Sequence, residues 1–383
     1  VSLSSFDVIV VGGGAAGLMC AVRAGQRGRS VLVLDHADKV GKKILISGGG
    51  RCNFTNLDSR PEAFLSANPH FCKSALARYT QHDFIALVDK HRIAWHEKTL
   101  GQLFCDGSAR QIVAMLLAEA EAVGVDVRVA HRVTGIEKAA RFAVHTDRGT
   151  FEASSVVLAT GGLSIPKMGA SGFAHDMARR FGLAVTETRP ALVPLTLPVP
   201  DVSGVALDVV ARCDRATFRE ALLFTHRGLS GPAILQVSSY WRDGREIAVD
   251  LLPDLDAAAL LKDRKRTRPK AGLRTILSEV MPQRLAQHLA PEGVIGEQKD
   301  KTLETLATRL KDWRVTPTGS EGYAKAEVTV GGVDTAELSS RTMEARKVPG
   351  LFVIGEAVDV TGWLGGYNFQ WAWSSGWVAG EAV

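Results

Sequence analysis

The run Val8-Ile9-Val10-Val11, followed at once by Gly12-Gly13-Gly14-Ala15-Ala16-Gly17, constrains this chain more than any other stretch of it. Four consecutive β-branched residues suit a strand buried on both faces of a parallel sheet. Gly12, Gly14 and Gly17 then carry the G-x-G-x-x-G spacing. The first glycine permits a tight turn, the second lets backbone approach a pyrophosphate, and the third brings helix and strand close together. A small-residue helix is expected from Leu18 to about Gln26, and amides at its start, around Ala15 and Ala16, would meet phosphate oxygens. A second strand is expected at Val31–Leu34, and Asp35 at its end stands 18 positions beyond Gly17. There a carboxylate can accept bonds from ribose hydroxyls. This is one βαβ unit, and it predicts an α/β, doubly wound (Rossmann-like) dinucleotide-binding fold.

Further along, the segment 40–56 is rich in Gly and Lys and shows neither helical nor strand period. Helices are expected over Ser74–His91 and Ser108–Val123, the latter between a Ser108 cap and a Gly124 stop. Short strands are expected at Val125–Val129, Val133–Ile136, Phe142–Thr146 and Thr150–Ala153, with Asp147-Arg148-Gly149 turning the last two into a hairpin. Val156–Ala159 reads as another buried strand. From Pro190 the character changes, with prolines at 190, 194, 198 and 200 and alternating strands replacing βα units. Residues 255–313 turn helical and strongly charged. A buried strand, Leu351–Ile354, a glycine-rich loop and a final helix close the chain.

Three later elements choose between NAD and FAD. Val157-Leu158-Ala159-Thr160-Gly161-Gly162 resembles the strand-plus-ATG element of two-dinucleotide-binding flavoproteins. Gly355-Glu356 resembles their late motif, whose carboxylate holds the ribityl chain; Glu replaces the more usual Asp. Gly365-Gly366-Tyr367-Asn368 precedes a helix whose first amides could face the flavin pyrimidine edge and favour the charge of reduced flavin. A second G-x-G-x-x-G for a resident NAD(P) is absent, and Gly331-Gly332 lacks the remaining glycine.

Composition excludes several classes. Hydrophobic content of 46% and charged content of 23% describe a globular chain, and no apolar run approaches the roughly 18 residues of a membrane span. The Val8–Val11 stretch is too short for a signal-peptide core, so the expected location is cytoplasmic, away from membranes. Five cysteines (Cys20, Cys52, Cys72, Cys105, Cys213) are scattered, odd in number and without a CxxC pair. That argues against a disulfide framework and against a zinc site; no metal is expected. The net charge of +5 permits an acidic partner without requiring one.

The motifs Lys43-Ile44-Leu45-Ile46-Ser47-Gly48-Gly49-Gly50-Arg51-Cys52-Asn53, Leu223-Phe224-Thr225-His226 with Gly228-Leu229-Ser230-Gly231-Pro232, and Gly365-Gly366-Tyr367-Asn368-Phe369-Gln370-Trp371-Ala372 together resemble the HI0933-like (BaiN/RdsA) flavoproteins. The resemblance runs from about residue 5 to the end. It implies an FAD domain, 1–190 and 346–383, interrupted by an inserted split β-barrel, 191–254 and 318–345, and a small basic helical subdomain, 255–317. Carried over by position, Lys43, Ser47, Gly48, Gly49 and Arg51 would lie along the FAD and Val133 near its adenine. The motif residues Cys52, Thr160, Gly161, Gly355, Glu356, Gly365, Gly366, Tyr367, Asn368 and Phe369 complete the expected cofactor set. Members of the family are linked to NAD(P)H-dependent reduction of carbon–carbon double bonds, one branch acting on uridine of large-subunit ribosomal RNA and another on bile acids. FAD is expected to be held non-covalently, with NAD(P)H a transient electron donor.

Reduction of an activated C=C bond needs a proton donor across the substrate from the flavin. Cys52, in a glycine-bracketed loop, is the first candidate; the alternatives are a buried thiol that packs, or one that touches the flavin without chemistry. His226, between a strand and the Gly228–Pro232 turn, is the second, with a turn-stabilising role as the alternative. Tyr323 is a weaker one. The run Lys262, Arg264, Lys265, Arg266, Arg268, Lys270, Arg274 is either a contact for ribosomal RNA phosphates or a solvated helical face. Three functions therefore stand: a reductase acting on 23S ribosomal RNA uridine, a reductase of a small hydrophobic enone, and a flavin-bearing RNA-binding protein whose redox activity is incidental.

Overall fold

The β-branched run forms the centre of a parallel sheet. In the computed structural model, which describes residues 4–199 and 202–383, Val8, Ile9 and Val10 have no exposed surface. Pro200 lies outside the described residues. The chain divides into two units, Val1–Arg189 with Val328–Val383, and Pro190–Glu327.

In the first unit the strand Ser4–Val11 pairs in parallel with Val31–Leu34 on one side and Gly149–Leu158 on the other. Asp126–Arg128 extends the sheet beyond Val31–Leu34, and Leu351–Val353 pairs in parallel with the end of Gly149–Leu158. The first half of that same strand pairs antiparallel with Phe142–Thr146, which pairs with Val133–Lys138. Two strands were expected at Thr150–Ala153 and Val156–Ala159. A single ten-residue strand spans both, because its two halves have different partners on the same edge.

The helix Ala15–Gln26 packs against the C-terminal helix Tyr367–Ala382 at close range. A Cβ on Gly376 would stand 2.4 Å from the Ala16 carbonyl oxygen, and one on Gly380 would stand 2.7 Å from that of Cys20. Two glycines one turn apart thus let the helix backbones meet. Trp373 enters a second core with Phe54, Phe84 and Leu18 rather than the parallel sheet, and its Nε1 donates to the Phe54 carbonyl at 2.8 Å.

Sequence periodicity missed local breaks. The helix expected over Ser74–His91 is two, Lys73–Arg78 and Gln81–Lys90, because Thr80 caps the second in a reciprocal box with Asp83. The segment 40–56 holds a short helix, Lys42–Ile46, and a strand, Asn53–Asn56, which joins Gln102–Cys105 and Trp95–Glu97 in a three-stranded sheet.

The second unit contains a seven-stranded antiparallel sheet in the order Trp313–Val315, Ile247–Asp250, Ala206–Cys213, Ala216–Thr225, Gly228–Ser230, Leu195–Thr196, Gly319–Ser320. It also contains four helices of six residues or more between Ala257 and Lys311. The return to the first unit comes at Val328, not at residue 346. Residues 328–345 carry little periodicity, and they are held by contacts such as the bond from the Val333 amide to the Ala357 carbonyl.

Candidate functional site

The glycine-rich turn is shaped by two close approaches and one opening. Gly12 has φ +112°, and a Cβ there would lie 2.4 Å from the Ala159 carbonyl oxygen; one on Gly17 would lie 1.9 Å from that of Gly12. On Gly14 it would meet nothing within 4 Å. The turn is therefore closed toward the sheet and open toward the start of the helix, where Ala15 and Ala16 follow. Asp35 is aligned by two amides, its carboxylate accepting from Gly13 N and Ala37 N, each at 2.8 Å. A carboxylate offers about four acceptor positions, so acceptor capacity remains for a ribose. The residues before Val133 are stitched to this corner by bonds from Ala130 N to Ala37 O and from His131 N to Asp35 O.

Next to the turn lies a polar network drawn from four separated parts of the chain. Lys43 Nζ stands 2.7 Å from Glu356 Oε2 and 2.5 Å from Ser164 Oγ. Ser164 Oγ donates to Glu356 Oε1 at 3.0 Å, and so does Thr329 N. Thr329 Oγ1 also accepts from Leu163 N at 2.8 Å, so it fixes the loop that begins at Thr160 and Gly161. Thr160 Oγ1 accepts from Ala174 N. Gly355, at φ +64°, would place a Cβ 2.9 Å from that of Ala16, which puts the Glu356 turn against the glycine-rich helix. His175 Nε2 lies 3.2 Å from the Ala357 carbonyl, and burial first of all pushes its pKa down, so it holds this turn as a neutral ring. Ser164, Thr329 and His175 were not anticipated. The glycine pair Gly331-Gly332, two residues on, is the sequence signal nearest Thr329, and by itself it marks only a partial dinucleotide motif.

The third group of residues forms two glycine loops. Gly48, Gly49 and Gly50 all have left-handed backbones, and a Cβ on Gly49 or Gly50 would meet open space. The Ser47 hydroxyl donates to the Ile44 carbonyl at 2.8 Å, and Arg51 is exposed. In the second loop, Asn56 Nδ2 donates to the Gly365 carbonyl at 2.8 Å, and Gln102 packs on Gly365. A Cβ on Gly366 would strike the Thr55 carbonyl oxygen at 2.3 Å. Asn368 spends its side chain on the backbone of Gly362 and Trp363. Tyr367 packs edge-on to Phe64 and Trp363, and Phe369 stacks on Trp373. These side chains hold the loop at the start of the C-terminal helix.

The proton-donor candidates occupy different environments. Cys52 has no exposed surface and packs in the second core; burial pushes its thiol up to about 12. A thiol without surface cannot reach a substrate, so this placement corresponds to the packing alternative. His226 is exposed at the tip of the hairpin Ala216–Thr225 and Gly228–Ser230, in the second unit. Tyr323 belongs to that unit too.

The basic run is extensively paired. Lys262 faces Glu304, Lys265 faces Asp300, Arg266 faces Asp263, Arg274 faces Glu292, and Arg264 and Arg268 share Glu279. Even so, residues 255–317 carry 13 Lys and Arg against 8 Asp and Glu, an excess equal to that of the whole chain. Among the described residues no cluster of three or more His, Cys, Asp or Glu could hold a metal, and no helix is long and apolar enough to cross a membrane.

The family described as "HI0933-like protein Rossmann domain" matches residues 6–382. The chain belongs to the HI0933-like family. Among relatives, a "Ribosomal RNA dihydrouridine synthase" of Escherichia coli (strain K12) is 54% identical over 99% of this chain and 98% of its own length. One of the same name from Haemophilus influenzae is 44% identical over 98% of both. A "3-dehydro-bile acid delta(4,6)-reductase" of Clostridium scindens is 29% identical over 98% of both. This HI0933-like chain is also similar in fold to a 3-ketosteroid-delta4-(5alpha)-dehydrogenase from Rhodococcus jostii RHA1. There the TM-score is 0.52 at 14% identity, over 98% of this chain and 97% of the other. The likeness carries the α/β architecture and nothing about substrate.

Proposed function

We propose that this chain binds FAD non-covalently and uses it, with NAD(P)H as electron donor, to reduce the C5–C6 double bond of a uridine in 23S ribosomal RNA. The observation that carries the reading is the convergence of the open Gly14 turn, the Lys43–Glu356 pair and the bare backbone of Gly49, Gly50 and Gly161 in one unit. A dinucleotide fits this set. Gly12, Gly14, Ala15, Ala16 and Gly17 would take the pyrophosphate, Asp35 the adenosine ribose and Val133 the adenine side. Thr160, Gly161, Gly355, Glu356 and Lys43 would take the ribityl chain. Ser47, Gly48, Gly49 and Arg51 would border the ring system, with backbone from Gly365 to Phe369 at its pyrimidine edge. Bound and reduced, the flavin supplies a hydride to an electron-poor carbon. The protein's part is to align it, hold Glu356 beside Lys43, and exclude water.

The choice of RNA over other acceptors rests on the 54% identity to the Escherichia coli protein of that name. The excess positive charge of 255–317 supports an RNA contact through Lys262–Arg274, and such an enzyme would work in the cytoplasm. A second reading, reduction of a small cyclic enone, is favoured by the relative named for a bile-acid reductase.

The test is anaerobic. Purified yellow protein is mixed with NADH or NADPH, and flavin bleaching is followed. The reduced form is then offered ribosomal RNA lacking dihydrouridine, or a cyclic enone. Reoxidation by the RNA alone is the expected result. Reoxidation by the enone alone replaces RNA with a small molecule, and no bleaching with either nucleotide removes the NAD(P)H assignment.

A further inference from the structure

The three-stranded sheet of the first unit presents a side-chain row that no sequence motif announced. In it Asn53 pairs with Phe104, and Phe104 pairs with His96 on the next strand. Cross-strand neighbours share a face and stand about 5 Å apart. One end of this row touches both glycine loops. Asn53 Oδ1 lies 2.9 Å from where a Gly366 Cβ would be, and Phe104 Cε1 lies 2.8 Å from where a Gly48 Cβ would be. The other end is His96, its ring stacked on Phe104 at 6.2 Å between centroids and 17° between planes. The neighbouring residues Trp95, Leu103 and Cys105 belong to the second core, so strand alternation separates a buried face from this one.

His96 is held as a working histidine would be. Its Nδ1 lies 2.6 Å from Asp106 Oδ1, a distance expected of a charge-assisted bond. With Nδ1 committed to Asp106, Nε2 is the nitrogen left to give a proton, and among the described residues it has no hydrogen bond. The side chain is 43% exposed, whereas Cys52 has no surface at all. His91 is tied to Glu119 and His175 is buried on the Ala357 carbonyl. Lys98 also borders this row, its Nζ 5.6 Å from the centre of the same Phe104 ring.

We propose that His96, oriented by Asp106, is the proton donor for the reduced double bond. The assignment rests on the reading of the chain as a C=C reductase. In the step, the hydride and its electron pair come from the reduced flavin and form one new C–H bond. The Nε2–H bond of the His96 imidazolium breaks as the second C–H bond forms on the adjacent carbon, and the neutral imidazole regains its proton from solvent. Asp106 holds Nδ1 and, with Phe104, fixes the ring plane.

The experiment compares wild type with His96→Gln, Asp106→Asn and, as a surface control, His145→Gln, all as FAD-loaded protein. Flavin content and bleaching by NADPH are expected to match in all four. Reoxidation by the acceptor that wild type accepts, ribosomal RNA or enone, is expected to slow at least 100-fold in His96→Gln, the range in which general acids act. Asp106→Asn should slow it less. In D2O, wild type should deliver deuterium to one face of the protonated carbon, and His96→Gln to both, a change that a merely structural role would not produce. If His96→Gln keeps wild-type rate and a single-faced label, the His96 assignment is overturned while the reductase reading stands. If neither acceptor reoxidises wild type, both fall together.

Discussion

Lys43 and Glu356, 313 positions apart, form an ion pair of 2.7 Å that joins the short helix Lys42–Ile46 to the turn before the last helix. The Glu356 side chain is 17% exposed, and its other oxygen accepts from Thr329 N and Ser164 Oγ. This one carboxylate therefore ties together four separated parts of the chain, at Lys43, Ser164, Thr329 and its own turn.

Glu356→Ala should leave a folded protein that purifies with little flavin. The substitution strips one partner each from Thr329 N, Ser164 and Lys43, of which the last two keep each other; leaving a buried group such as the Thr329 amide unpaired costs about 1–3 kcal/mol. Lys43 is partly exposed, so solvent recovers some of that. Flavin absorbance per protein and the thermal midpoint measure the two effects. Full flavin occupancy in the variant would remove Glu356 from the site.

Gly14→Ala and Gly17→Ala should separate binding from folding. A methyl at Gly17 collides with backbone at 1.9 Å, whereas at Gly14 it points into open space. Overpacking of this kind costs about 1–3 kcal/mol or more. Gly17→Ala is expected to be poorly soluble, and Gly14→Ala to melt near wild type while losing flavin affinity. Titration of apoprotein with FAD reads the second outcome.

Asp359→Asn should stabilise the protein at neutral pH. Burial raises the Asp359 carboxyl above the usual aspartate range, and its Oδ2 accepts only from Ala67 N at 2.9 Å. A carboxyl whose pKa is raised on folding favours the native state below its unfolded value and loses that contribution as pH rises through the folded value. The gain in melting temperature should be present at pH 7 and vanish below about pH 4. An Asn variant less stable at pH 7 would contradict the placement.

All five cysteines should resist alkylation in the native state. Each is buried, and burial raises the thiols of Cys20 and Cys52 to about 12 and those of Cys72, Cys105 and Cys213 to about 11. At pH 8 a thiol at 11 is ionised in on the order of one molecule in a thousand. A thiol reagent should count none quickly in native protein and five in denaturant; rapid labelling at Cys52 would revive it as a reactive group.

Charge reversal in the helical subdomain should divide by pairing. Lys270 has no ion pair among the described residues and the exposed Arg266 has only a local one to Asp263 of its own helix, while Arg264 and Arg268 share Glu279 beyond that helix. Reversal at the first two is expected to flatten the salt dependence of RNA binding by about one unit for each phosphate no longer neutralised. Reversal at the second two should lower the melting temperature instead. Salt-independent RNA binding would leave the run a structural surface.

The first βαβ unit was legible in the sequence because every part of its signal is local. A β-branched run, three glycines at fixed spacing and a carboxylate after the next strand each act within about 30 residues. The break at Thr80 was hidden because helical periodicity continues across it, while a cap depends on one side chain's bond. The return at Val328 was hidden because residues 328–345 are held by contacts to distant segments rather than by a pattern of their own.

The sequence by itself determined the doubly wound sheet, the turn that would take a pyrophosphate, the change of character at Pro190 and the family. Those follow from backbone sterics and hydrophobic period, which neighbouring residues set. Only the tertiary structure decided that Cys52 points into a core, that Lys43, Ser164, Thr329 and Glu356 form one network, and that His96 and Asp106 stand at the end of a row touching both glycine loops. Which way a side chain faces in a short strand, and which distant residue it meets, depend on strand register and packing across the fold. No local spacing in the chain encodes them.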